Sequence, residues 1–139
     1  MITETERSVV HCDPSQRSLG LKWAELTVSF LRATEARDIE RARTMVGPGF
    51  TANFPRGRNF PNLDAWLESS KGTYVRIAKR FQRIDVAITG GDSAVVHCSG
   101  TLHGERTDGK PLEGYRYIDR FEIKSGLIVD QQVWNDLVP

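Results

Sequence analysis

Residues 115–139 read YRYIDRFEIKSGLIVDQQVWNDLVP, and this stretch decides the fold. Two runs rich in β-branched and aromatic residues flank Ser125-Gly126, the composition of a tight hairpin turn. Side chains two apart share a strand face. Tyr115, Tyr117, Asp119 and Phe121 therefore form one set, and Arg116, Ile118, Arg120 and Glu122 the other. The first set carries three rings and is assigned to the interior. On the next strand the matching set is Ile128, Asp130, Gln132, Trp134 and Asp136. Asp119 among the tyrosines, and Asp136 beside Trp134, thus sit on faces that carry rings. The rest of the chain has to say whether those faces look into a pocket.

Upstream, RIDVAITGGDSAVVHCSGTLHG (83–104) reads as two strands around a Gly-Gly-Asp turn. Val95, His97, Ser99, Thr101 and His103 are assigned inward, with Val96, Cys98 and Leu102 behind; a bulge inverts such an assignment locally. YVRIAKRF (74–81) also reads as strand. The first half of the chain is helical. Trp23, Leu26, Thr27, Phe30, Leu31 and Thr34 recur at three- and four-residue steps, the stripe of a buried helix of about four turns. Asp38 caps a second, shorter helix that ends at Gly47-Pro48-Gly49. FTANF (50–54) is a short strand and PRGRNFP (55–61) a loop. Asn62 caps a third helix carrying Leu63, Trp66 and Leu67 inward. Helices first and a strand meander afterwards predict an α+β fold, with three N-terminal helices packed in a strongly curved, mainly antiparallel sheet. Residues 1–17 read as a flexible arm and 18–139 as one domain.

The 139-residue length suits a single core. The formal charge of +1 gives no global field for nucleic acid or an acidic membrane surface. Cys12 and Cys98 lack CxxC spacing and read as reduced thiols of a cytoplasmic protein. No apolar run approaches the roughly 20 residues of a membrane span. MITETERSVVHCDPSQ has no basic start before an apolar block, so no signal peptide is expected. His97 and His103 share a face, but six strand residues hold them about 20 Å apart, too far to chelate one metal. The glycine clusters are turns rather than phosphate loops. No metal or cofactor is expected.

The long first helix, the DIERARTMVGPGF transition (38–50), the GTLHGE strand end (100–105) and above all the DRFEIKSGLIVDQQVWND hairpin (119–136) carry a resemblance. From about Leu19 onward the chain resembles the nuclear transport factor 2-like superfamily, in its SnoaL-like branch. The resemblance implies a cone, with a pocket between sheet and helices. It also implies a homodimer through the outer sheet face, expected at Val96, Cys98, Leu102, Ile118, Val129 and Val133. The family mixes isomerases, epoxide hydrolases, polyketide cyclases and dehydratases with plain binding modules, so the resemblance sets a pocket and not a chemistry.

A carboxylate on an apolar wall is desolvated, and its pKa rises toward the range useful for acid–base work on a carbonyl compound. The SnoaL-like cyclases resemble such an arrangement, which implies Asp119 as acid/base and His97 as its partner. Tyr117 is a candidate donor to developing negative charge. Trp134, Tyr115, Phe121, Asp136, Ser99, Phe30 and Phe54 are expected to contact a small hydrophobic or aromatic ligand. Trp134-Asn135-Asp136 is similar to the Trp-x-Asp of limonene-type epoxide hydrolases. Their second carboxylate motif, Arg-x-Asp, is missing; His97 and Ser99 stand in its place. Two other readings remain beside the enzyme: a structural ion pair at Asp119, and a non-catalytic ligand-binding or protein-interaction module.

Overall fold

In the computed structural model, which describes residues 2–70 and 72–137, one sheet of seven strands curls around the helices. The last two residues of the expected domain lie outside this range. In chain order the elements are α1 (Glu4–Ser8), β1 (Val10–His11), α2 (Arg17–Glu35), α3 (Ile39–Arg43), β2 (Val46–Phe54), β3 (Arg58–Phe60) and α4 (Leu63–Ser70). Four long strands follow: β4 (Tyr74–Gly90), β5 (Ser93–Arg106), β6 (Pro111–Lys124) and β7 (Leu127–Asn135). The spatial order is β1-β4-β5-β6-β7-β2-β3. The four long strands form an antiparallel meander, and β1 on β4 and β2 on β7 add parallel pairs. The fold is therefore α+β with a mixed, mainly antiparallel sheet, as expected. Among the described residues no helix is long and apolar enough to cross a membrane.

The helices start where their capping residues stand. Asp38 accepts from the Arg41 N–H at 3.2 Å, and Asn62 accepts from the Ala65 N–H at 2.8 Å. Helix α2 buries Trp23, Thr27, Phe30, Leu31 and Thr34 against the concave face of the sheet. Phe30 is fully buried, with the rings of Phe50, Trp66 and Phe121 at 5.8, 6.3 and 6.1 Å. Register shifts in β4, between β5 and β6, and between β6 and β7 bend the sheet around this helix. At one of them β4 comes so close to β5 that a Cβ on Gly100 would lie 1.9 Å from the Arg80 carbonyl oxygen. Only glycine fits there.

Several sequence expectations are corrected. Glu122 pairs with Asp130 but Ile123 with Ile128, which leaves Val129 as an extra residue. Beyond this bulge the faces of β7 invert. Gln131 and Val133 are buried, while Trp134 stands 54% exposed on the outer face and Asp136 is exposed beside it. On β5 the interior set is Ala94, Val96, Cys98, Gly100 and Leu102; His97, Ser99, Thr101 and His103 face outward. Packing on α2 decides this, since burying His, Ser and Thr there would strand polar groups without partners. Val96, Cys98, Leu102 and Val133 are thus core rather than outer surface, and of the expected outer set Ile118 is the one largely exposed, at 48%.

The N-terminal segment is packed rather than loose. Ile2 and Val10 belong to the core, β1 pairs with β4, and the Glu6 carboxylate meets the Arg32 guanidinium at 2.6 Å. Gly47-Pro48-Gly49 lies within β2, and residues 58–60 of the expected loop pair with β2 as a strand.

Candidate active site

A cavity of about 490 Å³ opens between the end of α2, α4, the β2–β3 connection and the first residues of β4. The middle of β6 and the end of β7 close its far side with Tyr117, Val133 and Asn135. Phe54, Trp66, Leu67, Ile77, Leu102 and Leu137 make its apolar walls. Phe54 and Trp66 lie 5.4 Å apart, ring centre to ring centre, so α4 is fastened to the sheet by the same residues that shape the wall.

Lys79 is the cationic side chain that leaves this cavity for the core. It stands two residues from both Ile77 and Phe81 on β4 and so shares their face, which points it to the concave side. Its Nζ lies 3.4 Å from Asp119 Oδ2 and 5.1 Å from the centre of the Tyr117 ring. Asp119 is fully buried behind it and is not part of the cavity wall. Gln131 donates to Asp119 Oδ2 at 3.2 Å. Asp119 Oδ1 and Gln131 Oε1 are buried with no hydrogen-bond partner among the described residues. Burial pushes the Asp119 carboxyl above the ordinary carboxylate range, and Lys79 and Gln131 offset only part of that. Burial likewise raises the Tyr117 phenol and the Cys98 thiol, the latter directly across the ladder from Asp119. The Tyr117 hydroxyl is already committed, donating to the Arg80 carbonyl at 3.1 Å.

The sequence-predicted residues divide into three groups. Tyr117 and Phe54 line the cavity. Asp119, Phe30 and Phe121 are buried in the core, and Tyr115 is half-buried on β6 without reaching the cavity wall. His97, Ser99, Trp134 and Asp136 are on the opposite side of the sheet. His97 stands there between Asp85 and Arg120 in the ladder and cannot serve Asp119. Ser99, Ile118, Trp134 and Asp136 border a shallow depression, where Arg116 Nε holds Asp136 at 2.6 Å and keeps its carboxyl below the usual range. Lys79 and Gln131 were not foreseen. The Ile77–Lys79–Phe81 alternation marks Lys79 as inward once YVRIAKRF is read as a strand. Gln131 is hidden by the Val129 bulge. Among the described residues no cluster of three or more His, Cys, Asp or Glu side chains could hold a metal ion.

A helix-filled, curled sheet with a cavity at its open end defines the nuclear transport factor 2-like class of α+β proteins. Within it, residues 28–131 match the SnoaL-like domain, and the chain belongs to that family. No curated protein matches the sequence. Among solved structures, the chain is similar to an NTF2-like protein of unknown function from Burkholderia pseudomallei, with 13% identity, TM-score 0.66 and coverage of 83% of this chain and 91% of that one. A putative scytalone dehydratase from Novosphingobium aromaticivorans gives 9%, 0.69, 90% and 89% in the same order. The association domain of CaMKII from Caenorhabditis elegans gives 16%, 0.67, 87% and 98%. At these identities the likeness is one of fold.

Proposed function

We propose that the chain binds a small hydrophobic or aromatic carbonyl compound in the cavity and transforms it without a cofactor by moving a proton, as in a cyclisation, isomerisation or dehydration. The observation that carries this reading is the Lys79–Asp119 pair, a cavity-facing amine backed by a fully buried carboxyl at 3.4 Å. Asp119, 3.4 Å behind the amine, is the group with which Lys79 exchanges a proton. The amine takes a proton from the carbon next to the carbonyl. The resulting ammonium stabilises the enolate and returns the proton at a second position. Lys79 is then the catalytic residue, Asp119 its proton store, and Tyr117 a wall that orients the Lys79 head through its ring. A dehydratase among the structural neighbours is compatible with this chemistry but does not carry it.

The test is hydrogen–deuterium exchange at the α-carbon of 2-tetralone, followed by NMR. The wild type is expected to accelerate exchange, and Lys79→Met and Asp119→Asn to lower the rate by about 100-fold or more. Binding of the ketone without acceleration would overturn the enzyme reading in favour of a binding module. The same proposal includes a homodimer through the outer sheet face, centred on exposed Ile118 and Trp134 and burying upwards of about 1,000 Å². Two free thiols, Cys12 and Cys98, fit a reducing compartment such as the cytoplasm.

A further inference from the structure

The cavity mouth has a charge that the apolar-ligand reading does not use. Arg37, Arg56, Arg58, Arg76 and Arg106 all border it. The chain as a whole is almost neutral, at +1, so this is a local concentration and not a reflection of composition. Among the described residues the one acid on the cavity wall, Glu35, is already taken up: Arg32 meets it at 2.8 Å and the backbone N–H of Lys79 donates to it at 2.9 Å. Among the described residues none of the five arginines forms an ion pair. Arg37 and Arg56 each give one guanidinium N–H to a backbone carbonyl, of Tyr74 at 2.9 Å and Leu137 at 3.3 Å. Arg58 lies over the Phe60 ring at 5.7 Å. The side chains of Arg76 and Arg106 make no hydrogen bond to a described group. Glu105 faces Arg76 in the ladder yet does not pair with it.

The backbone adds a second, independent observation. Among the described residues three non-glycine positions have positive φ, and two of them are Arg37 (56°) and Arg56 (66°). That conformation disfavours a long side chain, and glycine or asparagine is its usual occupant. Arginine therefore sits at two points of the rim against the local backbone preference. Unpaired guanidinium groups gathered on one rim repel one another, and an anion relieves that repulsion through bidentate hydrogen bonds.

We infer that the cavity takes an organic anion: an apolar body lodged between Phe54, Trp66 and Ile77, with a carboxylate-like head held by the arginine rim. This rests on the reading that the cavity receives a small apolar ligand, and it adds the head group that selects among such ligands. A nucleic acid fits less well, because the five arginines all border one cavity with apolar walls.

The test is isothermal titration calorimetry with naphthalene-2-carboxylate, its neutral isostere naphthalene-2-carboxamide, acetate and a short oligothymidine, at low salt and at about 0.5 M NaCl. The carboxylate is expected to bind about ten-fold or more tighter than the amide at low salt. The advantage, read as the ratio of acid to amide affinity within each protein, should shrink at high salt and in Arg56→Gln/Arg76→Gln. Equal binding of acid and amide overturns the inference and leaves the cavity reading standing. Binding of neither naphthalene compound overturns the cavity reading itself. Acetate binding as tightly as naphthalene-2-carboxylate refutes the apolar half, and tighter binding of the oligonucleotide refutes the choice of a small anion. Both arginines are exposed, so the variant is expected to keep the wild-type melting temperature, which makes an affinity change interpretable.

Discussion

Replacing Lys79 by Met tests the central pair while keeping most of the side-chain volume. Asp119 is 0% exposed and the Lys79 side chain 17%, so among the described residues the carboxylate has no other charged partner, and bulk water does not reach it. Removing one member of a buried pair costs about 3–5 kcal/mol when the other must stay charged. Asp119 has an escape, because it can keep a proton. Its folded pKa is raised above the unfolded value of 3.8 by burial. For a raised acid the folded state binds the extra proton, so the stability it contributes is present at low pH and falls as pH rises through the folded pKa. Without the Lys79 charge that pKa moves further up, and each unit by which the window lengthens costs about 1.4 kcal/mol above it. Urea unfolding followed by far-UV circular dichroism should therefore show a small loss near pH 5 and a loss larger by about 2 kcal/mol or more near pH 8. Lys79→Met/Asp119→Asn should recover most of the loss near pH 8. Equal losses at both pH values, or no recovery in the double variant, would refute the reasoning that the pair's charge sets its energetics.

Phe30→Ala removes a fully buried ring packed on three others and should cost about 3–5 kcal/mol in urea unfolding, without altering the antiparallel register. Gly100→Ala should cost about 1–3 kcal/mol, because its methyl meets the Arg80 carbonyl oxygen and the β4–β5 pairing has to shift; thermal melting reads this directly. Trp134→Glu should leave the melting curve of the monomer within about 0.5 kcal/mol but convert a dimer to monomer in light scattering at micromolar concentration. A wild type that is already monomeric there rules out the outer-face dimer.

The sequence by itself determined the class of the fold and one face of one strand. Three-and-four spacing on α2 and strict alternation on β6 are local signals, and Tyr117, Asp119 and Phe121 are buried together as that alternation requires. The caps at Asp38 and Asn62 are likewise written in single residues. The site was less legible because it depends on register and on which of two faces meets a helix. Nothing in LIVDQQVW announces that Val129 is an extra residue, yet that residue alone moves Trp134 and Asp136 to the outer surface and Gln131 to Asp119. On β5 the polar and apolar sets alternate equally well, and only packing against α2 selected Cys98 over His97 as the neighbour of Asp119. Lys79 and the five rim arginines come from segments far apart in the chain. Their convergence is a property of how tightly the bulged sheet curls, which is decided by long-range pairing and not by any local pattern.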